Sequence, residues 1–297
     1  MPRTKKNKNI KLVFTDSHIT EDSMQELDSI FSEIVQQKAD ELVFAGDYYE
    51  KNRPTAKELL FGTQWAHTFK KKFKKVYFLR GNHDKVQDIS AVDYLRELDI
   101  DIVDEYKKDG LFVGHFMVNE SQLAYGTGGC SVTDLKTNKL TILGHQHSRQ
   151  QLAHNVYHLG SIRYVNFNEA KDENKFIAKI DGKNHIHFIK LKNLIPMYDV
   201  YSVKELEDVP TGMIKVRVIL KSFDQMKREI DILNKVKHKY NIFKIKLDFE
   251  KTKTLKTNMS NSLVKTKLKD ILKEGIKKIK DKDVKNLLKG ILNESNN

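Results

Sequence analysis

The feature that most constrains this chain is a rhythm in its first half. Short β-branched and aromatic runs alternate with segments of helical period, and each run closes on glycine, aspartate, histidine or asparagine. KLVFT, Lys11–Thr15, is apolar and β-rich, and after it Met24, Leu27, Ile30, Phe31, Ile34 and Val35 recur at helical spacing. A strand over Glu41–Ala45, a helix over about Thr55–Lys70 and a strand over Lys75–Leu79 follow. Next comes a helix carrying Ile89, Val92, Leu95 and Leu98. This βαβαβα order predicts a mixed α/β sheet with helices on its faces.

Beyond Asp99 strands dominate: Ile100–Val103, Leu111–Val113, Leu140–Leu143, Val156–Leu159, Lys175–Ile180 and His185–Leu191. The long stretch Val118–Lys139 contains YGTGG and reads as a substrate-facing loop. These elements make a first domain, 1–195. A strand (Met213–Leu220), a helix (Phe223–Lys237) and a strand (Ile242–Phe249) then make a small βαβ unit within 196–250. Residues 251–262 are polar and unpatterned, a linker. In 263–294 two apolar stripes are expected to form amphipathic helices: Val264, Leu268, Ile271, Leu272, Ile276 and Ile279, then Val284, Leu287, Leu288, Ile291 and Leu292. Two such short helices cannot fully bury their stripes on each other and call for a partner surface.

Composition narrows the class. No run approaches a membrane span and no apolar signal-peptide core follows MPRTKKNKN. The single cysteine, Cys130, excludes an internal disulfide framework and fits a reducing compartment, so a cytoplasmic protein is expected. The formal net charge is +13. From Lys251 onward 13 Lys face 5 Asp or Glu, so +8 of it lies in the last 47 residues. Such an excess points to a polyanionic partner, of which nucleic acid is the commonest.

The chemistry sits at the strand ends. They read Asp16-Ser17-His18, Gly46-Asp47, Gly81-Asn82-His83-Asp84, Gly114-His115 and Gly144-His145-Gln146-His147, about thirty residues apart. Any one of these sets alone would be an ordinary polar turn. Five in strand-end register can converge at the carboxyl edge of a sheet, where α/β sites form. Carboxylate, imidazole and amide oxygen without thiolate suit Mn, Fe, Zn or Co. The recurring glycine lets the backbone turn tightly and approach bound ions or phosphate.

These residues resemble the calcineurin-like metallophosphoesterase superfamily, whose pattern DxH, GD, GNH(D/E), H and GHxH is present in order from Asp16 to His147. The resemblance implies a β-sandwich core flanked by helices and two divalent ions, Mn²⁺ first, with Mg²⁺, Fe²⁺ or Zn²⁺ as alternatives. Asp16, His18 and His147 would hold one ion, Asn82, His115 and His145 the other, and Asp47 would bridge them. His83 would stay off the metals to meet the scissile phosphate and protonate the leaving oxygen, with Asp84 orienting it. Two such ions activate a water and clamp both oxygens of an in-line displacement, so phosphoester hydrolysis is expected.

Within the superfamily, GDYYEKNR and GNHD depart from the GDxxDRG and GNHE of serine/threonine protein phosphatases. GDYYEKNRPTAKEL, Gly46–Leu59, and VYHLGSIRYVNFNEA, Val156–Ala170, are similar instead to SbcD-type double-strand-break repair nucleases. That likeness implies a DNA exonuclease and endonuclease whose small α/β domain caps the DNA. It also implies terminal helices that bind an SbcC-type, SMC-like ABC ATPase, and a homodimer formed through the helix of Trp65 and Phe69 and the segment Asp88–Leu98; Trp65 and Phe69 themselves read as packed in the core or against another subunit. A short, lysine-rich version would suit a phage-encoded protein in host cytoplasm. Glu50 stands where many members carry His or Asp, so it is a candidate site-adjacent residue of unassigned role. The alternatives are a small-molecule or cyclic-nucleotide phosphodiesterase or phosphatase, and a non-catalytic scaffold for the ATPase. His185 and His187 mimic HxH on one strand but lack a glycine turn, and with His67 and His238 they read as surface or packing residues. His158 is placed in packing or at the site rim, and KKKFKK, Lys70–Lys75, reads as a solvated helix end, with DNA-phosphate contact the alternative.

Overall fold

The computed structural model describes residues 9–86, 89–121, 130–209, 213–236 and 241–249. The loop sequence YGTGG, His238, the linker and the two expected C-terminal helices lie outside the described residues. The chain separates into two compact units, Met1–Ile195 and Pro196–Asn297.

The first unit opens with β1 (Lys11–Phe14), α1 (Met24–Val35), β2 (Glu41–Phe44), α2 (Ala56–Lys72) and β3 (Lys75–Leu79). It continues with β4 (Lys85–Val86), β5 (Ile89–Ser90), β6 (Asp101–Val103), β7 (Tyr106–Lys108), β8 (Leu111–His115), the short α3 (Val132–Leu135) and β9 (Leu140–Gly144). It closes with β10 (Gln150–Ala153), β11 (Val156–His158), β12 (Phe176–Ile180) and β13 (Ile186–Lys190). One sheet runs β13-β12-β1-β2-β3-β6, and a second runs β10-β11-β9-β8-β7. Strands β1, β2, β3 and β6 are mutually parallel, as are β8, β9 and β11.

Side chains that alternate along a strand point to opposite faces, and the two faces here bury different partners. Leu12, Phe14, Leu42, Phe44, Val76 and Phe78 pack with Leu27, Ile30, Phe31, Ala66 and Phe69 of the helices. Val13, Val43, Ala45 and Leu79 pack instead with Leu111, Val113, Leu140 and Ile142 of the second sheet. The other face of that sheet, through Phe112, Leu143 and Val156, meets Val132 and Leu135. Both sheets are thus flanked by helices around an apolar inter-sheet core, the expected mixed α/β sandwich. Thr55 starts α2 with a capping box, its side chain accepting from Glu58 N while Glu58 accepts from Thr55 N.

Two readings of the sequence need correction. Ile89, Val92, Leu95 and Leu98 do not share an α-helix; Ile89 belongs to the β4–β5 hairpin, and Asp93–Leu98 forms a 3₁₀ helix. A strict spacing of three matches the 3₁₀ repeat, which buries Val92 and Leu95 and leaves Ile89 outside, 74% exposed. Asp99, in left-handed conformation at φ 58°, ends the turn. The strands β7, β10 and β14 (Met197–Val200) were also unread, because YKK, QQLA and MYDV carry no clean apolar alternation.

In the second unit, β14, β15 (Met213–Leu220) and β16 (Asn241–Phe249) form a parallel sheet with α4 (Phe223–Val236). Val216, Val218, Leu220, Met226, Leu233 and Ile245 make its core. Arg217 Nε donates to Asp199 Oδ1 at 2.8 Å between adjacent strands. No helix among the described residues is long and apolar enough to cross a membrane.

Candidate metal centre

The five polar sets leave the carboxyl ends of β1, β2, β3, β8 and β9, so parallel pairing brings their turns to one end of the sandwich. The turns are knit to each other. Asp16 N donates to Gly46 O at 3.0 Å and His18 N to Asp47 O at 3.1 Å. Across the sheets, His145 N donates to Asp16 Oδ2 at 3.1 Å, and within the first sheet Thr15 Oγ1 donates to Ala45 O at 2.9 Å. Glycine is required where the loops touch. A Cβ on Gly81 would stand 2.0 Å from Asp47 Oδ1, and one on Gly46, itself at φ +92°, would stand 2.4 Å from His115 Nδ1.

The side chains gather into two clusters. In the first, His18 Nε2 and His147 Nε2 lie 3.0 Å apart, and each is 3.7 Å from Asp16 Oδ1. In the second, Asn82 Oδ1 is 2.7 Å from His145 Nδ1 and 3.1 Å from His115 Nε2. Asp47 Oδ2 faces both, 3.7 Å from His18 Nε2 and 3.1 Å from His115 Nε2, while its Oδ1 accepts from His83 N at 2.8 Å. Donor atoms about 2.1 Å from an ion stand about 3 Å apart at neighbouring octahedral corners, so separations of this size are those of ligand shells. Asp16, His18 and His147 form one group able to hold an ion, and Asp47, His115 and His145 another.

Electrostatics favour cations here. Burial opposes ionisation of Asp16, yet contact with His18 and the charges of His115 and His147 hold its carboxyl well below the usual range. Asp47 is lowered in the same way, burial outweighed by His115. Burial disfavours charge on His18, but Asp16 and Glu50 hold it up to about 10; His115, against Asp47, rises to about 9. His145 is lowered by burial and by His115. The buried carboxylates therefore draw protons onto imidazoles, and a divalent ion would replace those protons. The nitrogen and oxygen donor set fits such ions.

Surrounding groups fix these candidate ligands. His115 Nδ1 is 2.6 Å from Ala45 O. His147 Nδ1 is 3.0 Å from Glu169 Oε1, and Glu169 Oε2 accepts from Lys175 at 2.6 Å and from Ser161 at 2.9 Å. Burial raises the Glu169 carboxyl, but His147 and Lys175 bring it to about 2. Arg163 donates to Ser17 O at 2.9 Å and His18 O at 2.7 Å, clamping the first turn. Glu169 and Arg163 were not singled out from the sequence. The signal for Glu169 was present in NFNEA but reads as a capping box, which it also forms with Asn166.

His83 sits beside both clusters, its ring 4.8 Å from that of His18, and it reaches His18 and Asp47 closely enough to form a third possible metal group. Its Nδ1 is 2.9 Å from Glu50 O. Asp84 does not pair with it. The buried Asp84 carboxylate accepts instead from the backbone N–H of Tyr48 (3.1 Å), Tyr49 (2.8 Å) and Gly81 (3.1 Å). It orients the GNHD turn by bracing the backbone. Burial and the neighbouring Asp47 charge push this carboxyl up to about 6, against those three donors. Glu50 Oε2 lies 2.9 Å from His18 Nδ1. His158 is buried behind the site, Nδ1 3.1 Å from Gly144 O and Nε2 2.7 Å from Ser121 Oγ, and does not reach the ligand atoms. His185 pairs with Asp181, and His67 and His187 are exposed.

Two ligand clusters sharing one carboxylate at strand ends are the arrangement of a binuclear metal-dependent hydrolase. The chain belongs to the calcineurin-like phosphoesterases, the family it matches over residues 12–224. A search of curated proteins finds none that matches. Among solved structures, Vacuolar Protein Sorting 29 from Cryptosporidium parvum is 14% identical, covering 62% of this chain and 98% of its own at a TM-score of 0.40. A single mutant of Vps29 from Entamoeba histolytica is 10% identical, covering 62% and 99% at 0.38. The nuclease MPE of Pseudomonas putida is 21% identical, covering 50% and 66% at 0.30.

Proposed function

We propose that this phosphoesterase is a DNA nuclease, exonucleolytic on duplex ends and endonucleolytic on structured or single strands, working with an SMC-like ABC ATPase in recombination and repair. The observation that carries phosphodiester hydrolysis is the pair of ligand clusters sharing Asp47, with His83 beside them. The choice of DNA is supported by the net charge of +13 and by the GDYYEKNRP and NFNEA segments. Residues 263–294 are the proposed ATPase contact. A homodimer is supported by Leu60, Ile89 and Tyr94, large side chains exposed on α2, β5 and the 3₁₀ helix Asp93–Leu98.

Asp16, His18, Asp47 and His147 would hold one ion, and Asp47, Asn82, His115 and His145 the other; Mn²⁺ is the proposed metal. Ions bound there supply Lewis acidity, lowering the pKa of a water and neutralising phosphate charge. The chain's own residues do the rest. The Glu50 carbonyl can only accept, so His83 Nδ1 carries a hydrogen; with the ring protonated on both nitrogens, its Nε2–H is the proton passed to the leaving oxygen. Gly81 and Asp84 hold the turn that presents it.

The test is an end-labelled DNA assay with Mn²⁺ or Mg²⁺, with and without the ATPase, beside His83→Ala and Asp47→Ala. DNA cleavage is expected from the wild type alone. His83→Ala should retain metal content while losing cleavage by a factor of about 10² or more. Turnover of cyclic nucleotides or aryl phosphates with DNA untouched would establish the small-molecule reading instead. A wild type free of metal by elemental analysis, and inert, would establish the scaffold.

A further inference from the structure

Glu50 is the residue whose sequence neighbours gave it no role, and the structure gives it two contacts. Its side chain leaves the β2 turn three residues after Asp47 and places Oε2 2.9 Å from His18 Nδ1. Its backbone carbonyl, on the same residue, lies 2.9 Å from His83 Nδ1. The position is fixed from behind, because Glu50 N donates to Ile19 O at 3.2 Å, directly after the DxH turn. His18 is buried, and its Nδ1 has no aligned hydrogen-bond partner; the Glu50 carboxylate is near enough but off the N–H direction. A carboxylate with one-third of its surface exposed is free to make the small rotation that closes such a bond.

We propose that Glu50 is a positioning residue that acts on both halves of the reaction site, through its carboxylate on His18 and through its carbonyl on His83. A ligating imidazole needs its second nitrogen held by an acceptor, which fixes the tautomer, aims the ring and raises its basicity. His147 has this from Glu169, and His115 has it from Ala45 O. For His18, whose Nε2 faces Asp16, Asp47 and His147, the only acceptor near Nδ1 among the described residues is Glu50. The two roles separate by chemistry. Removing the carboxylate releases His18 and leaves the carbonyl that holds His83 in place.

This inference rests on the metal-centre reading, and its test reads binding rather than turnover. Mn²⁺ is titrated into metal-free wild type, Glu50→Ala and Glu50→Gln, followed by calorimetry and by the Mn²⁺ resonance signal. Wild type should bind two ions. In Glu50→Ala one of the two affinities should fall 10- to 100-fold, the usual cost of losing such a partner, while the other stays. Glu50→Gln, whose amide oxygen still accepts from Nδ1, should recover most of the loss. The ¹⁵N shifts of His83 should keep the Nδ1–H form in all three proteins. Both affinities at the wild-type level in Glu50→Ala would overturn the proposal, as would Glu50→Gln falling as far as Glu50→Ala. A wild type that binds no Mn²⁺ would overturn the metal-centre reading itself.

Discussion

Asp84→Ala separates two accounts of the GNHD turn. If Asp84 served His83 alone, its loss would impair catalysis and spare stability. The structure instead has its carboxylate accept three backbone N–H bonds, from Tyr48, Tyr49 and Gly81, in a fully buried position. Hydrogen bonds to a charged group contribute about 2 kcal/mol each, so their removal costs about 6 kcal/mol. Part of that is offset. Burial and the neighbouring Asp47 charge oppose ionisation of this carboxyl, a cost of about 3 kcal/mol that the alanine variant recovers. The net expectation is a loss of about 3 kcal/mol. For a domain of this size that is about 6–12 °C in Tm. Trp65 is the only tryptophan and packs on Phe31 and Phe69, so its fluorescence in urea reports the first unit selectively. The measurement belongs in EDTA, where no ion offsets the buried charge. An Asp84→Ala protein within about 1 kcal/mol of wild type would refute the bracing argument.

Gly81→Ala should be worse than an ordinary glycine substitution, because the new Cβ meets Asp47 N at 2.1 Å and backbone cannot swing aside. We expect a loss of about 3 kcal/mol, measured by the same unfolding, and weakened Mn²⁺ binding by calorimetry; wild-type values for both would contradict the close approach. His158 gives a pH prediction away from the ligand atoms. Burial lowers its imidazole to about 4, so the folded state holds it neutral while the unfolded chain protonates near 6.5. Its contribution is therefore complete above pH 6.5 and lost as pH falls to about 4, about 3 kcal/mol in all. His158→Gln should thus approach wild-type stability as pH drops from 7 to 4.5, and parallel pH curves for the two proteins would rule this out.

Much of the site was legible because strand and turn signals are local. β1, β2 and β3 are short runs bounded by turn residues, and the glycines of Gly46-Asp47 and Gly81-Asn82 mark where backbones meet. What stayed hidden depends on distance in sequence. Arg163 reaches the His18 carbonyl across 145 residues, and no local pattern announces that an arginine in SIRY will clamp a turn near the N-terminus. Glu169 carried a signal with two meanings, since one carboxylate completes a capping box and orients His147. Asp84 misled for a related reason. Adjacency to His83 suggested a side-chain pair, but in a tight turn the carboxylate folds back onto N–H groups that otherwise lack acceptors.

Backbone conformation explains why these side chains need this fold. Among the described residues seven non-glycine positions have φ in the left-handed region, and four of them are Asp16, His18, Asp47 and His145. All seven are Asp, Asn or His, the non-glycine types that enter that region most often. Each such residue costs about 1–2 kcal/mol, so the four together cost about 4–8 kcal/mol. An isolated loop would relax away from that geometry. Here each strained turn directly follows a buried strand whose side chains are locked between sheet and helix or between the two sheets. The strain is tolerated because relaxing it would require β1, β2 or β9 to shift register, which would carry every inward side chain to the wrong face. The sandwich core is thus what keeps three turns, with their four candidate ligands, in conformations that cost free energy, and it does so before any ion arrives.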